Sequence, residues 1–437
     1  MSIFFLKLKR KIAQFDLFEL GNSVIIYYFA IFYLVPILAY FDVLKNISHQ
    51  DFYFKNFLYV TIGLIFLIFG YIVGNFLFLK SFKFLKRDWD FKKAWWVFWS
   101  IFTISLLIKF IRIIGGGYSH LDQNPLFLKS HYYSLMGNFD WLAYISLIIA
   151  FIIYFYLKKN NDENYKKWRV AAWIAFSFEL IYAIPTCMRM MAIIPIVLYL
   201  IIRWYVYEKS YFKVVGVLFF SIIILFPFGG ICRLPAYTNV SRIEAVKNVI
   251  SNNGYSQSML KSTVNSGDYA ISSFLWRINQ STIISGVLKN SQPFLYGKTF
   301  KELLFAFGPP RFLWNNKPLS MNADGNAFGH KIHVLDDSDL KTSVGPTIIG
   351  DWYINFGLAG IIFGMFLMGI IFRFIYNYLI KNTESSLSGV MFYAVIWIHI
   401  IKGIEAWIAP VYVGIIRTII ILLLINFFLI KKNSLIK

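Results

Sequence analysis

Glu179, Lys402, Glu405 and Arg417 lie inside long apolar runs. A charge there costs roughly 2.5–3.5 kcal/mol on membrane-insertion scales, so each must be paired, hydrated or functional. Lys402 and Glu405 are one helical turn apart and read as a local ion pair, with Glu179 and Arg417 as a second. Arg189 differs: it closes Pro185-Thr186-Cys187-Met188-Arg189, a tight turn between two apolar runs with no acidic neighbour, where it can face an external anion. Arg233, Lys109 and Arg112 fall at the same depth at the ends of other runs. Together these bases form a cationic rim suited to a phosphate-bearing lipid headgroup. The plainer reading is separate bases that each bind ordinary anionic lipid. A pyrophosphate suits such a rim, because a guanidinium fork pairs with its oxygens and stays charged. The same forks would stabilise a departing pyrophosphate.

The elements that must position these residues are membrane spans. The chain is 58% hydrophobic, 20% aromatic and 15% charged, with a mean hydropathy of +0.60. A water-soluble globular domain could not present that composition without aggregating. Apolar runs lie near 22–41, 56–79, 95–114, 139–157, 170–187, 190–206, 214–231, 353–376, 388–404 and 411–430. They predict an all-α, polytopic membrane helix bundle of about ten transmembrane helices. The net charge of +21 does not indicate nucleic acid, since Lys and Arg cluster at span ends. Lys80, Lys83, Lys86, Arg87, Lys92 and Lys93 fill one short loop, and Lys158, Lys159, Lys166, Lys167 and Arg169 fill another. The positive-inside rule makes those loops cytoplasmic, and both termini with them. Trp95, Trp96 and Trp99 inside, and Trp141 and Trp352 outside, read as interfacial belts. Residues 1–20 read as an amphipathic helix on the inner surface, and the first span as an uncleaved anchor.

The chain thus divides into an N-terminal bundle of about seven spans (1–231), one large, partly helical extracytoplasmic loop (232–350) and a C-terminal bundle of about three spans (351–437). Ser241-Arg242-Ile243-Glu244 and Thr299-Phe300-Lys301-Glu302 match a capping box and predict short helices near 242–252 and 299–307. A third helix is expected over 268–289, and the prolines of Gly308-Pro309-Pro310 force an irregular return. Cys187 and Cys232 both fall near the outer boundary, where a disulfide can form. The sequence contains no Walker loop, GxGxxG, HExxH or CxxC, which leaves nucleotide-driven transport and common metal hydrolases without support.

Loop residues 277–281 (RINQS), Gly297-Lys298-Thr299-Phe300, Pro310-Arg311-Phe312-Leu313-Trp314-Asn315-Asn316-Lys317-Pro318 and Gly325-Asn326-Ala327-Phe328-Gly329 occur in that order. Gly350-Asp351-Trp352-Tyr353-Ile354-Asn355-Phe356-Gly357-Leu358-Ala359-Gly360 closes the loop. The set resembles the bacterial Wzy-type O-antigen polymerases, the oligosaccharide repeat unit polymerases. The family often has Glu where this chain has Asp351, a shorter carboxylate. The resemblance implies a multi-pass enzyme of the bacterial inner membrane that joins undecaprenyl-pyrophosphate-linked oligosaccharide units on the outer leaflet. It implies no cofactor, metal or nucleotide sugar, with membrane lipid, a flippase and a chain-length regulator as partners. On this reading Arg189, Arg233, Arg277, Arg311 and Lys317 bind pyrophosphate, and Asp351, His330 and His333 are candidates for the catalytic base. The bland alternatives are solvated loop histidines and an Asp351 that caps or orients the eighth span. An O-antigen ligase shares the donor and layout, whereas a flippase would spread charge through a central cavity. A small-solute transporter would show broken helices and inverted repeats.

Overall fold

The computed structural model describes residues 15–40, 54–77, 83–115, 136–137, 139–186, 189–231, 279–306, 314, 325–335, 337 and 342–431. Among them the secondary structure is helical, with one isolated antiparallel bridge between Trp89 and Ile430. The helices are α1 (Leu20–Phe29, continued by Ala30–Leu34 and Val35–Tyr40), α2 (Phe54–Gly74), α3 (Phe91–Ile114), α4 (Trp141–Lys159), α5 (Tyr165–Thr186), α6 (Arg189–Ile202, continued by Arg203–Tyr207) and α7 (Tyr211–Ile231). Then follow α8 (Ser281–Asn290), α9 (Lys301–Ala306, after a 3-10 turn Lys298–Phe300), α10 (Gly325–Lys331), α11 (Thr347–Tyr376, continued by Asn377–Lys381), α12 (Leu387–Gly403) and α13 (Ile408–Leu429).

Seven of these are long and apolar enough to cross a membrane, over Leu20–Leu38, Lys55–Gly74, Phe91–Ile114, Trp141–Lys159, Met190–Tyr207, Thr347–Lys381 and Ile408–Leu429. Apolar runs of this length form helices because no other single segment satisfies all its own backbone hydrogen bonds away from water. Polar residues set the starts. Asp90 caps α3, accepting from the amides of Lys92 (3.0 Å) and Lys93 (3.3 Å). Ser386 caps α12 through the Gly389 amide at 3.1 Å.

Cross-chain bonds sort the helix termini into two ends. At one end Asp16 accepts from Trp204 Nε1 (2.8 Å), Tyr205 Oη (3.2 Å) and Tyr376 Oη (3.0 Å). Beside it Glu19 accepts from Tyr71 Oη at 2.6 Å and pairs with Arg373. The Asp90 amide meets the Leu429 carbonyl at 2.8 Å, and Ser386 Oγ meets the Leu85 carbonyl at 2.7 Å. Lys83, Lys86, Lys92, Lys158, Lys167, Lys209 and Lys381 are all near this end, as expected for one shared face. The opposite end carries the C-termini of α3, α5 and α12, the N-termini of α4, α11 and α13, and the segment 279–306.

Two backbone features shape that second end. Gly357 has φ 62° and ψ −146°, a conformation essentially restricted to glycine, and it breaks α11 into two arms. Trp352 then folds back onto the second arm: a Cβ at Gly360 would strike the Trp352 carbonyl, and one at Gly364 the Trp352 indole. Along the second arm α11 packs on α2 more extensively than any other pair of elements. Gly70 abuts the Phe366 carbonyl and Gly369 the Leu67 carbonyl, so small residues let the two backbones touch.

The short helix expected from the Thr299 motif is present as Lys298–Phe300 with Lys301–Ala306. The Thr299 hydroxyl donates to Asp351 at 2.7 Å. The helix expected over 268–289 begins only at Ser281, after the non-helical Asn279 and Gln280, and runs to Asn290. The helix expected at 242–252, the amphipathic stretch before Phe15, and Cys187 and Cys232 with the disulfide expected between them lie outside the described residues.

Gly369→Leu will separate α2 from α11 at a cost of about 1–3 kcal/mol or more, because a side chain there meets backbone that cannot repack. Thermal unfolding of the purified protein in detergent checks this. An unchanged midpoint would contradict the close approach.

Candidate functional site

Two polar constellations occupy the second end. The first is centred on Asp351, which is fully buried on the first arm of α11. Its Oδ1 accepts from Thr299 Oγ1 at 2.7 Å and from Asn355 Nδ2 at 3.1 Å. Its Oδ2 accepts from the Ile408 amide at 2.8 Å, placing a negative charge at the N-terminus of α13. Asn355, one turn on, donates to Thr299 Oγ1 (2.6 Å) and accepts from the Gly297 amide (2.9 Å). The Leu295 and Tyr296 amides bond to the carbonyls of Ile354 (3.0 Å) and Asn355 (3.1 Å). Asp351 and Asn355 thus fasten segment 295–299 to α11 and α13.

The second is a cavity of about 70 Å³ lined by Ser105, Lys109, Arg112, Asp140, Tyr144, Glu179, Tyr182 and Met191, among others. Lys109 pairs with Glu179, and Arg112 with Asp140 at 2.6 Å. Lys109 also lies 4.5 Å from the centre of the Tyr182 ring. Lys402, at the end of α12, is near enough for its charge to act on Asp140. The turn after Lys402 joins the two constellations: the Ile404 carbonyl accepts from the Ile348 amide at 2.8 Å, and Ile408 donates to Asp351.

Chemically the cavity can hold a small anion. A paired ammonium keeps further N–H donors and a guanidinium has five, so Lys109 and Arg112 can serve a carboxylate and a second oxyanion together. Among the described residues no group of three His, Cys, Asp or Glu could hold a metal ion.

These positions revise several sequence expectations. Lys109 and Arg112 do lie together at one depth, but each is neutralised by a carboxylate rather than forming a bare rim. Glu179 pairs with Lys109 and not with Arg417, which points from the exposed side of α13. Glu405, expected to pair locally with Lys402, accepts from the Tyr27 hydroxyl of α1. In both cases a partner brought alongside by tertiary packing replaces one inferred from sequence spacing. Trp352 is packed on Phe300, with ring centroids 4.8 Å apart, and Trp141 on His399 at 4.2 Å, so neither is a simple belt residue.

Arg189 begins α6, two residues before cavity-lining Met191. His330 is half-buried at the end of α10, while His333 is exposed just beyond it with φ 54°. Arg233, Arg277, Arg311 and Lys317 lie outside the described residues. Sequence reasoning missed Asp140, Tyr144 and Tyr182. The available signal was an acid directly before Trp141 at a span start, facing the bases that end the preceding span.

The model of one family, described as a domain of unknown function (DUF8712), matches residues 131–437, and the chain belongs to that family. No curated protein and no solved structure matches it.

Asp351→Ala will destabilise the fold by about 3–5 kcal/mol, since it strands buried donors on three elements. Asp351→Asn will cost less because its amide oxygen still accepts. Equal unfolding midpoints for the two variants would rule out this fastening role. Lys109→Met or Glu179→Leu alone will cost about 3 kcal/mol by leaving a buried charge unpaired, and the double variant will recover much of the loss. A double-mutant cycle by thermal unfolding reads the coupling directly.

Proposed function

We propose that this member of the DUF8712 family is a membrane glycosyltransferase that polymerises undecaprenyl-pyrophosphate-linked oligosaccharide repeat units into a surface polysaccharide, O-antigen or capsule. The reading places it in a bacterial inner membrane with both termini cytoplasmic. On this reading the spans number about ten, α5, α7 and α12 joining the seven membrane-length helices. The lysine-rich end is then cytoplasmic by the positive-inside rule, and the end holding residues 279–306 faces outward.

The observation that carries the proposal is the ionisable cavity of Lys109, Arg112, Asp140 and Glu179, placed at the end that bears the loop segment. In this reading its bases, with Arg189, Arg233, Arg277, Arg311 and Lys317, hold the donor pyrophosphate. A sugar hydroxyl of the incoming unit attacks the anomeric carbon of the growing chain. A new glycosidic C–O bond forms, and the bond to pyrophosphate breaks with its electron pair leaving on the phosphate oxygen. The hydroxyl proton passes to a base. His330 and His333 remain candidates for that base, and Asp351 acts by positioning: three protein donors already occupy its carboxylate. No nucleotide sugar, metal or cofactor enters the step. A flippase and a chain-length regulator are its expected companions.

The size profile of lipid-linked and surface polysaccharide in a host lacking this gene tests the reading. Single repeat units in place of a ladder support it. Long polymer stranded on the lipid carrier identifies a ligase, repeat units trapped inside identify a flippase, and an unchanged profile removes glycan assembly. In complementation, Arg112→Ala will reduce polymer by roughly 10²–10³-fold. Arg112→Lys, which keeps the charge and loses the fork, will reduce it less. Full polymer from well-expressed Arg112→Ala protein would remove the cavity from the mechanism.

A further inference from the structure

The lysine-rich end contains a second cavity that the proposed reaction does not use. It has a volume of about 450 Å³ and lies between the start of α3 and the α4–α5 hairpin. Its walls include Trp95, Trp96 and Trp168, with Lys92, Lys167, Asp162 and Asn164 at the mouth. The aromatic wall is built: Trp95 and Trp168 meet edge to face at 5.1 Å, and Trp168 is buried. Lys167 Nζ sits 3.6 Å from the centre of the Trp95 ring, which fixes its ammonium over the cavity. Trp96, by contrast, is 73% exposed.

Charge defines what fits. Asp162 Oδ1 is engaged by the Asn164 amide and Nδ2, both at 2.9 Å, and Asp90 is engaged in capping α3. Two ammonium groups therefore face one carboxylate among the lining residues, and the adjoining turns set Lys158, Lys159, Lys166 and Arg169 against Glu163. An exposed tryptophan beside a basic, aromatic-walled hollow at the ends of apolar helices matches the layer where lipid headgroups meet acyl chains.

We propose that this cavity binds the headgroup of an anionic phospholipid. Lys92 and Lys167 receive the phosphodiester oxygens, Asp162 and Asn164 accept from headgroup hydroxyls, and Trp96 lies along the first acyl carbons. The site stands independently of the glycosyltransferase reading.

The full-length protein, purified and stripped of lipid in detergent, is titrated with phosphatidylglycerol or phosphatidylcholine and examined by native mass spectrometry. The expected result is one phosphatidylglycerol retained per chain in preference to phosphatidylcholine. Lys92→Gln with Lys167→Gln will weaken retention by roughly tenfold or more, while the corresponding double Arg variant and Lys381→Gln, at the same end outside the cavity, will not. Equal retention by the double Gln variant overturns the proposal. Displacement of the lipid by millimolar inorganic phosphate would show a free-phosphate site and overturn it equally. A second measurement needs no variant: in vesicles, brominated phosphatidylglycerol will quench wild-type tryptophan fluorescence beyond brominated phosphatidylcholine at matched content. Equal quenching overturns the proposal.

Discussion

Removing a charge from water costs several kcal/mol unless another group takes over the hydration it loses. In a bundle this apolar that cost shapes the packing of the helices. Asp16, Glu19, Asp140, Glu179, Asp351 and Glu405 each meet a donor from another segment of the chain. The partners are distant in sequence: Glu19 meets Tyr71 and Arg373, and Glu405 meets Tyr27. Apolar side chains can slide past one another at little cost. A buried carboxylate that must keep its donors cannot, so these pairs hold the register in which helices α1, α2, α11 and α12 meet.

The stretch from Gly350 to Gly360 shows how a short motif becomes architecture. Gly357 supplies a backbone conformation that other residues resist, and Gly360 and Gly364 make room for Trp352 as the chain turns back. Asp351 and Asn355 then face inward on one helical turn and bind segment 295–299 and the start of α13. Among the described residues that suggested a resemblance through their order, Gly297, Thr299, Asp351 and Asn355 fasten segment 295–299 to the bundle. With Thr299 and the Ile408 amide within 2.8 Å, the short aspartate side chain reaches its partners.

The two ends of the bundle differ in how their bases are used. At the first, lysines sit at helix ends and on short connections, Lys167 and Lys209 over tryptophan rings, where they can address a charged surface. At the second, Lys109 and Arg112 are drawn inward and held by carboxylates around a small cavity. A paired base inside a bundle is pre-oriented, with its rotamer already chosen, which favours recognition of an oxyanion over non-specific attraction.

Sequence alone determined the helical class, the runs of membrane-crossing length and the gathering of short-loop bases on one face. Each depends on properties that add along a segment: apolar length, capping residues and local charge. It also marked Glu179, Lys402, Glu405 and Arg417 as residues needing an explanation, because a charge beside apolar neighbours is costly wherever the helix goes. Only the tertiary structure decided their partners. Glu179 found Lys109 rather than Arg417, Glu405 found Tyr27, Thr299 gave its hydroxyl to Asp351, and Asp140 joined Arg112 from a span start that looked unremarked. Hydropathy states how far a helix extends but not which neighbour it meets or at what rotation, and a partner for a buried charge is set by that rotation.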